Sequence, residues 1–153
     1  IAFRAAAHVQ DYLPMSKRDI LKFDGCAEAW KRALAQAGVS LGHLSFVETH
    51  DCFTVAELIE YEAMGLTPRG QGATAIKEGW TNRDGKLPVN PSGGLKSKGH
   101  PIGATGVSMH ALSAMQLCEE AGGIQVRNPV LGGIFNMGGA AVANYVSVLE
   151  RIK

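Results

Sequence analysis

Apolar positions along this chain recur at intervals of three and four in some stretches and fall in short unbroken runs in others. Behind Phe23-Asp24, residues Cys26, Ala29, Trp30, Ala33, Leu34 and Ala37 form one helical stripe. Gly38 is placed to end it in the left-handed conformation that glycine adopts without strain. A second stripe through Val55, Leu58, Ile59 and Ala63 ends at Gly65. A third helix is predicted from about Ala104 to Glu120; it carries no formal charge as far as Cys118, so it is expected to be buried on most sides. Residues 3–13 alternate weakly and read as a strand, and the run from Leu44 to Glu48 reads as a buried one. Gly133–Met137 and Ala141–Leu149 supply two more, joined at a glycine turn. Residues 66–99 are loop-like, rich in Gly, Pro and Asn, with Trp80 as their one aromatic group. The order strand, helix, strand, helix, long loop, helix, strand, strand predicts an α/β fold. Its sheet should be largely parallel, with helices on both faces and an antiparallel last pair.

The chain has 153 residues, the size of one domain or of half a larger enzyme. Its 15 basic and 14 acidic residues leave a net charge of +1, which calls for neither nucleic acid nor an anionic membrane. A hydrophobic fraction of 46% excludes a disordered tail. The 19 glycines stand at about 12% against an ordinary usage of about 7%, and only Gly25, Gly38 and Gly42 precede residue 65. They follow no repeat, so they predict tight backbone turns rather than a collagen or a tether. Cys26, Cys52 and Cys118 form an odd set without CxxC spacing, which indicates neither disulfides nor zinc and makes a reducing compartment the default. No metal constellation is visible among His8, His43, His50, His100 and His110. The start at Ile1, without a methionine, suggests a fragment. The uncharged stretch 128–149 is long enough to span a bilayer, but its asparagines and glycine pairs favour two buried strands over a membrane span.

Three segments could carry chemistry. Thr49-His50-Asp51-Cys52-Phe53 stands between a strand and a helix, where open α/β sheets bind ligands. His50 and Cys52 could there do acid–base or nucleophilic work; alternatively, Asp51 caps the helix while Cys52 and Phe53 are core. The run Asn90-Pro-Ser-Gly-Gly-Leu-Lys-Ser-Lys-Gly-His-Pro-Ile-Gly-Ala-Thr-Gly106 pins His100 between Gly99 and Pro101 just before a helix. Glycines at that density let backbone approach a ligand closely. It is not a P-loop, because Lys96 and Lys98 precede the glycines that should lead to them. Phe135-Asn136-Met137-Gly138-Gly139-Ala140-Ala141 reads by itself as a hairpin turn.

In this order and at these spacings, the three segments resemble the C-terminal half of the thiolase family. The resemblance covers essentially the whole chain, and its most specific part is NPSGGLKSKGHPIGATG at 90–106. Most thiolases read Asn-Glu-Ala-Phe in the first motif and Cys-x-Gly in the last. Here they read His50-Asp51-Cys52-Phe53 and Asn136-Met137-Gly138, a paired change that marks the sterol-carrier-protein type. The resemblance implies a mixed, mostly parallel five-stranded sheet for a single domain over residues 1–153. It also implies roles. His100 would activate the nucleophilic cysteine and contribute to an oxyanion hole, His50 would take the place of the asparagine of that hole, and Cys52 would be the acid–base. The Gly138 N–H would serve a second oxyanion hole. Ser92, Gly93, Gly94 and Asn136 would lie beside the CoA substrate, and the loop at 66–90, with Pro68, Arg69 and Trp80, would border it. A Claisen condensation or its reverse needs such donors and such a base.

The family's acyl-accepting cysteine belongs to the N-terminal half, and no segment here matches it. The chain alone is therefore expected to be inactive and to need the N-terminal thiolase domain as its partner. The whole protein would be a homodimer or tetramer acting on acetyl-CoA or 3-oxoacyl-CoA, without a permanently bound cofactor, in the cytoplasm or, in a eukaryote, a peroxisome or mitochondrion. Related lyases cleave CoA thioesters by a retro-aldol step, and thiolase-like subunits can associate with an OB-fold partner; both remain as alternatives.

Overall fold

The computed structural model describes residues 1–152. It contains β1 (Ala2–Gln10), α1 (Asp24–Ala37), β2 (Phe46–Glu48), α2 (Thr54–Ala63), α3 (Gly72–Lys77), α4 (Gly94–Lys98), α5 (Thr105–Leu117), β3 (Leu131–Gly138) and β4 (Ala143–Glu150). The first two helical stripes lie where the spacing puts them, and Gly38 ends α1 at φ 68°. The stretch expected to be one loop holds two short helices, α3 and α4.

The sheet corrects the expected topology. It has four strands in the order β1-β4-β3-β2, and only β2 and β3 run parallel. Both β1–β4 and β4–β3 are antiparallel. Strands covered on both faces carry the same apolar run whichever way their neighbours run, so composition alone did not separate the two cases. A fifth position is reduced to a single parallel bridge between Val47 and Val89. There Val47 N–H donates to the Pro88 carbonyl at 2.8 Å and Asn90 N–H to the Val47 carbonyl at 2.7 Å. Pro88 and Pro91 supply no N–H with which to extend the ladder.

Helices cover both faces. Val47, Phe135, Val146 and Val148 point toward α1 and α2, packing with Cys26, Ala29 and Trp30. Their neighbours Phe46, Ile134 and Leu149 point the other way, toward Met109 and Leu117 of α5. Trp30 fits because Gly133 has no side chain: a Cβ there would stand 2.8 Å from the indole.

Helix α5 differs from expectation. Met109, Ser113, Gln116 and Leu117 are buried, but the opposite face is open. Val107 is 72% and Met115 41% exposed, with exposed Ala111 between them. Phe3 and Tyr145 extend this open apolar surface across the sheet, Phe3 beside His110 of α5 and Tyr145 stacked on His8. Among the described residues no helix is long and apolar enough to cross a membrane, and the uncharged stretch 128–149 forms β3, β4 and their turn.

Candidate functional site

Because β2 and β3 are parallel neighbours, their C-terminal ends open on the same edge of the sheet. His50 lies just beyond the end of one and Asn136 near the end of the other, and His50 Nδ1 meets Asn136 Oδ1 at 2.6 Å. The loop before α5 brings His100 to the same point; the two imidazoles stand 4.9 Å apart, edge to face. His100 Nδ1 bonds Thr105 Oγ1 at 2.7 Å, and the Thr105 hydroxyl donates its own proton to the Pro101 carbonyl at 3.1 Å. With the threonine proton on the Pro101 carbonyl, its oxygen is the acceptor for His100, whose Nδ1 then carries the proton and whose Nε2 is a bare acceptor in the neutral ring. The Asn136 oxygen imposes the same tautomer on His50. For a neutral His50 to donate from Nε2, the Asn136 amide would have to turn and present its nitrogen.

His50, Cys52, His100, Asn136 and Gly138 line one cleft of about 620 Å³. Its remaining wall is apolar, with Ile20, Leu21, Phe23, Val55, Ile59 and Ile102. This wall was not legible in the sequence: Ile20 and Leu21 belong to the irregular connection between β1 and α1, where no periodicity marks them. The loop at 66–90 expected beside the substrate contributes no lining residue. Arg69 lies 3.8 Å from Asp24, and Trp80 packs against the core under the Lys86 ammonium.

Two loops carry the site, and buried acids tie them together. Asp51 does not cap α2, whose N-cap position is Phe53 without a side-chain bond. Its buried carboxylate reaches across to the first turn of α4 and accepts from Leu95 N–H at 2.6 Å and Lys96 N–H at 3.3 Å. Gly94 permits this: its φ is 67°, and a Cβ would overlap the Asp51 carboxylate. Three residues earlier in the chain, Glu48 accepts from Ser92 N–H at 3.1 Å and Ser92 Oγ at 2.6 Å, with Lys98 Nζ at 3.4 Å. Asn90 accepts from Thr49 N–H at 2.8 Å and donates to Glu57 at 3.2 Å. Ser92 and Gly94 belong to this brace, and neither they nor Gly93 are among the residues that line the cleft. Phe53, read alternatively as core, is 68% exposed at the cleft mouth.

Burial sets the protonation of the site. It pushes the His50 imidazole below its usual range, with the Asn136 contact pulling back and nearby His100 adding to the effect. Burial likewise raises the Cys52 thiol, helped by Glu60. Glu60 is fully buried on α2, takes the Thr49 hydroxyl on Oε2, and has no partner for Oε1. Its carboxyl is held well above the ordinary range by that burial. Cys26 is buried in the core, Cys118 is exposed at the end of α5, and neither lines the cleft. Among the described residues no group of His, Cys, Asp and Glu is arranged to hold a metal ion.

Comparison with known proteins gives a consistent result. The family described as "Thiolase C-terminal domain-like" matches residues 6–151. An acetyl-CoA acetyltransferase of Methanothermobacter thermautotrophicus is 39% identical over 135 residues, covering 88% of this chain and 35% of that protein. Sterol carrier protein 2 of Homo sapiens is 43% identical over 136 residues, covering 85% of this chain and 25% of that protein. The chain thus spans about a third or less of these relatives. Among solved structures, "Ltp2-ChsH2(DUF35) aldolase" superposes with a TM-score of 0.81 over 97% of this chain and 39% of that one, at 19% identity. At that identity the match speaks for the fold alone.

Proposed function

Since the chain belongs to the thiolase C-terminal domain-like family, we propose that it is the C-terminal half, over residues 1–153, of an acyltransferase acting on acyl-CoA thioesters. The observation that carries this is the meeting of His50, Cys52, His100, Asn136 and Gly138 in one apolar-walled cleft. In thiolysis, a cysteine thiolate supplied by the N-terminal half attacks the C3 carbonyl of a 3-oxoacyl-CoA. His100, through the Nε2 left bare when Nδ1 holds the proton, takes the thiol proton and then offers Nε2–H to the oxyanion. The bond between C2 and C3 breaks, and Cys52 protonates the departing enolate of acetyl-CoA. Its thiolate then deprotonates CoA, whose sulfur attacks the acyl-enzyme and releases the shortened acyl-CoA. A thiol raised by burial suits this role, because it stays protonated until needed and is a strong base once ionised. His50, with the Asn136 amide turned to donate to it, and the Gly138 N–H are the other oxyanion donors. CoA enters as substrate, and the chemistry requires no resident cofactor.

The N-terminal half is the partner that fits the open face of α5, where Val107 and Met115 are uncovered. The whole protein is then a homodimer or tetramer. The three free thiols suit a reducing compartment such as the cytoplasm. The deciding experiment assays the full-length protein with acetoacetyl-CoA and CoA. Turnover that falls at least a hundredfold in both His100→Ala and Cys52→Ala is the expected result, and the isolated chain should show none above its His100→Ala control. A second reading is a retro-aldol lyase working with an OB-fold partner, a chemistry that the name of the Ltp2-ChsH2(DUF35) aldolase gives to a protein of the same fold. It predicts cleavage of a 3-hydroxyacyl-CoA without consumption of CoA.

A further inference from the structure

The turn between β3 and β4 places three consecutive residues in left-handed backbone: Gly139 at φ 62°, Ala140 at 53° and Ala141 at 64°. Glycine takes that conformation freely, whereas the Cβ of each alanine crowds the following carbonyl. Such a turn persists only where its surroundings hold it, and each of its carbonyls has a partner. Val142 N–H closes on the Gly138 carbonyl at 3.0 Å, and Asp11 N–H reaches the Val142 carbonyl at 2.7 Å. Asn144 Nδ2 donates to the Ala141 carbonyl at 2.9 Å. The remaining two are taken by one side chain: Arg18 Nη1 donates to the Ala140 carbonyl at 2.6 Å and Nη2 to the Gly139 carbonyl at 3.4 Å. The guanidinium keeps this position although its Nε is buried without a partner. Gly138, Gly139 and Ala140 line the cleft, and so do Ile20 and Leu21, which follow Arg18 in the chain.

We propose that Arg18 is a positioning residue, which holds the left-handed Gly139–Ala141 turn and thereby fixes the Gly138 backbone at the cleft. Its bearing on turnover rests on the reading of Gly138 as an oxyanion donor; its grip on the turn does not. An alanine forced into left-handed backbone needs holding, and a glycine does not, so Ala140→Gly should release the dependence on Arg18.

The test has two arms. In the isolated chain, the Gly138 amide resonance and hydrogen exchange at Ala140, Ala141 and Val142 are followed by NMR. Arg18→Ala should move the Gly138 resonance and speed exchange in the turn at least tenfold, while the Trp30 indole resonance stays in place. Adding Ala140→Gly should bring the Gly138 resonance most of the way back. Arg18→Lys, which can reach one carbonyl but not two, should move it part of the way, and it decides the matter if Arg18→Ala does not fold. A Gly138 resonance unmoved in the folded variants, or no recovery with Ala140→Gly, overturns the proposal. In the full-length protein, Arg18→Ala should lower kcat on acetoacetyl-CoA at least tenfold with KM within twofold, and Ala140→Gly should restore it. If the full-length protein shows no thiolysis at all, the functional reading fails, and the Gly138 resonance still decides whether Arg18 holds the turn.

Discussion

His50 and His100 meet edge-on, their ring centroids 4.9 Å apart and their planes at 87°. Each commits Nδ1 to a neighbour, Asn136 for one and Thr105 for the other, which leaves the two Nε2 atoms for a substrate. A second positive charge at this separation is opposed by the first.

That opposition adds to burial in keeping His50 neutral, and it gives stability a pH dependence. In the unfolded chain a histidine protonates near pH 6.5, and in the fold His50 does so lower. Between the two values the unfolded state binds more protons, so the contribution of His50 is complete above about pH 6.5 and is lost as the pH falls. Urea denaturation from pH 8 to pH 5 should show wild type losing up to about 1.4 kcal/mol per pH unit more than His50→Asn in this window. Parallel profiles would contradict the assignment.

Asp51 and Gly94 should behave as one unit. Asp51→Ala strands the Leu95 and Lys96 N–H groups and should cost about 2–3 kcal/mol. Gly94→Ala places a methyl group on the Asp51 carboxylate and should cost at least as much. With Asp51→Ala already present, the same methyl group has room, so the double variant should be more stable than the sum predicts by about 1 kcal/mol or more. Additive losses in urea melts would show that the two residues act separately.

Glu60 is a buried carboxyl that stays protonated where an exposed one has ionised. With its folded pKa raised, its contribution is complete below the unfolded value and is lost as the pH rises through the folded one. Glu60→Gln keeps the shape and removes the titration. The variant should melt above wild type at pH 8, and this advantage should vanish toward pH 4. Calorimetry across that range checks it; an advantage that grows on acidification would reverse the sign of the shift.

The three cysteines should separate by rate. Exposed Cys118 should react first with iodoacetamide at pH 8, half-buried Cys52 more slowly because its thiol is raised, and core Cys26 only after unfolding. Peptide mass mapping over time reads the order. The Cys52 rate should keep rising above pH 9, and a plateau below pH 8 would argue for an activated thiolate.

The sequence made helices α1 and α2 legible because each has one apolar stripe, and Gly38 and Gly65 mark their ends. His50, Cys52, His100 and Gly138 were legible through their motifs, and the parallel pairing of β2 with β3 explains why distant motifs share a cleft. The direction of β1 was not legible, since its weak alternation serves an antiparallel edge as well as a parallel one. Nor was the destination of Asp51: a carboxylate before a helix reads as its cap, whereas here the acceptor serves a helix about forty residues on, as the spacing of Asp51 from Leu95 shows. Arg18 and Leu21 carry no periodic signal at all, because a connection is shaped by what it touches and not by its own repeat.

The open face of α5 divides the mutational record of this chain in two. Val107 is 72% exposed and Met115 41%, so a charged residue at either position disturbs less buried surface than one in the core, and a survey of the chain's own stability would score these positions as comparatively tolerant. A survey of the whole protein would score the same positions by what covers them. Residues silent in the first and intolerant in the second would outline, without any structure of a complex, the footprint of the N-terminal partner proposed above.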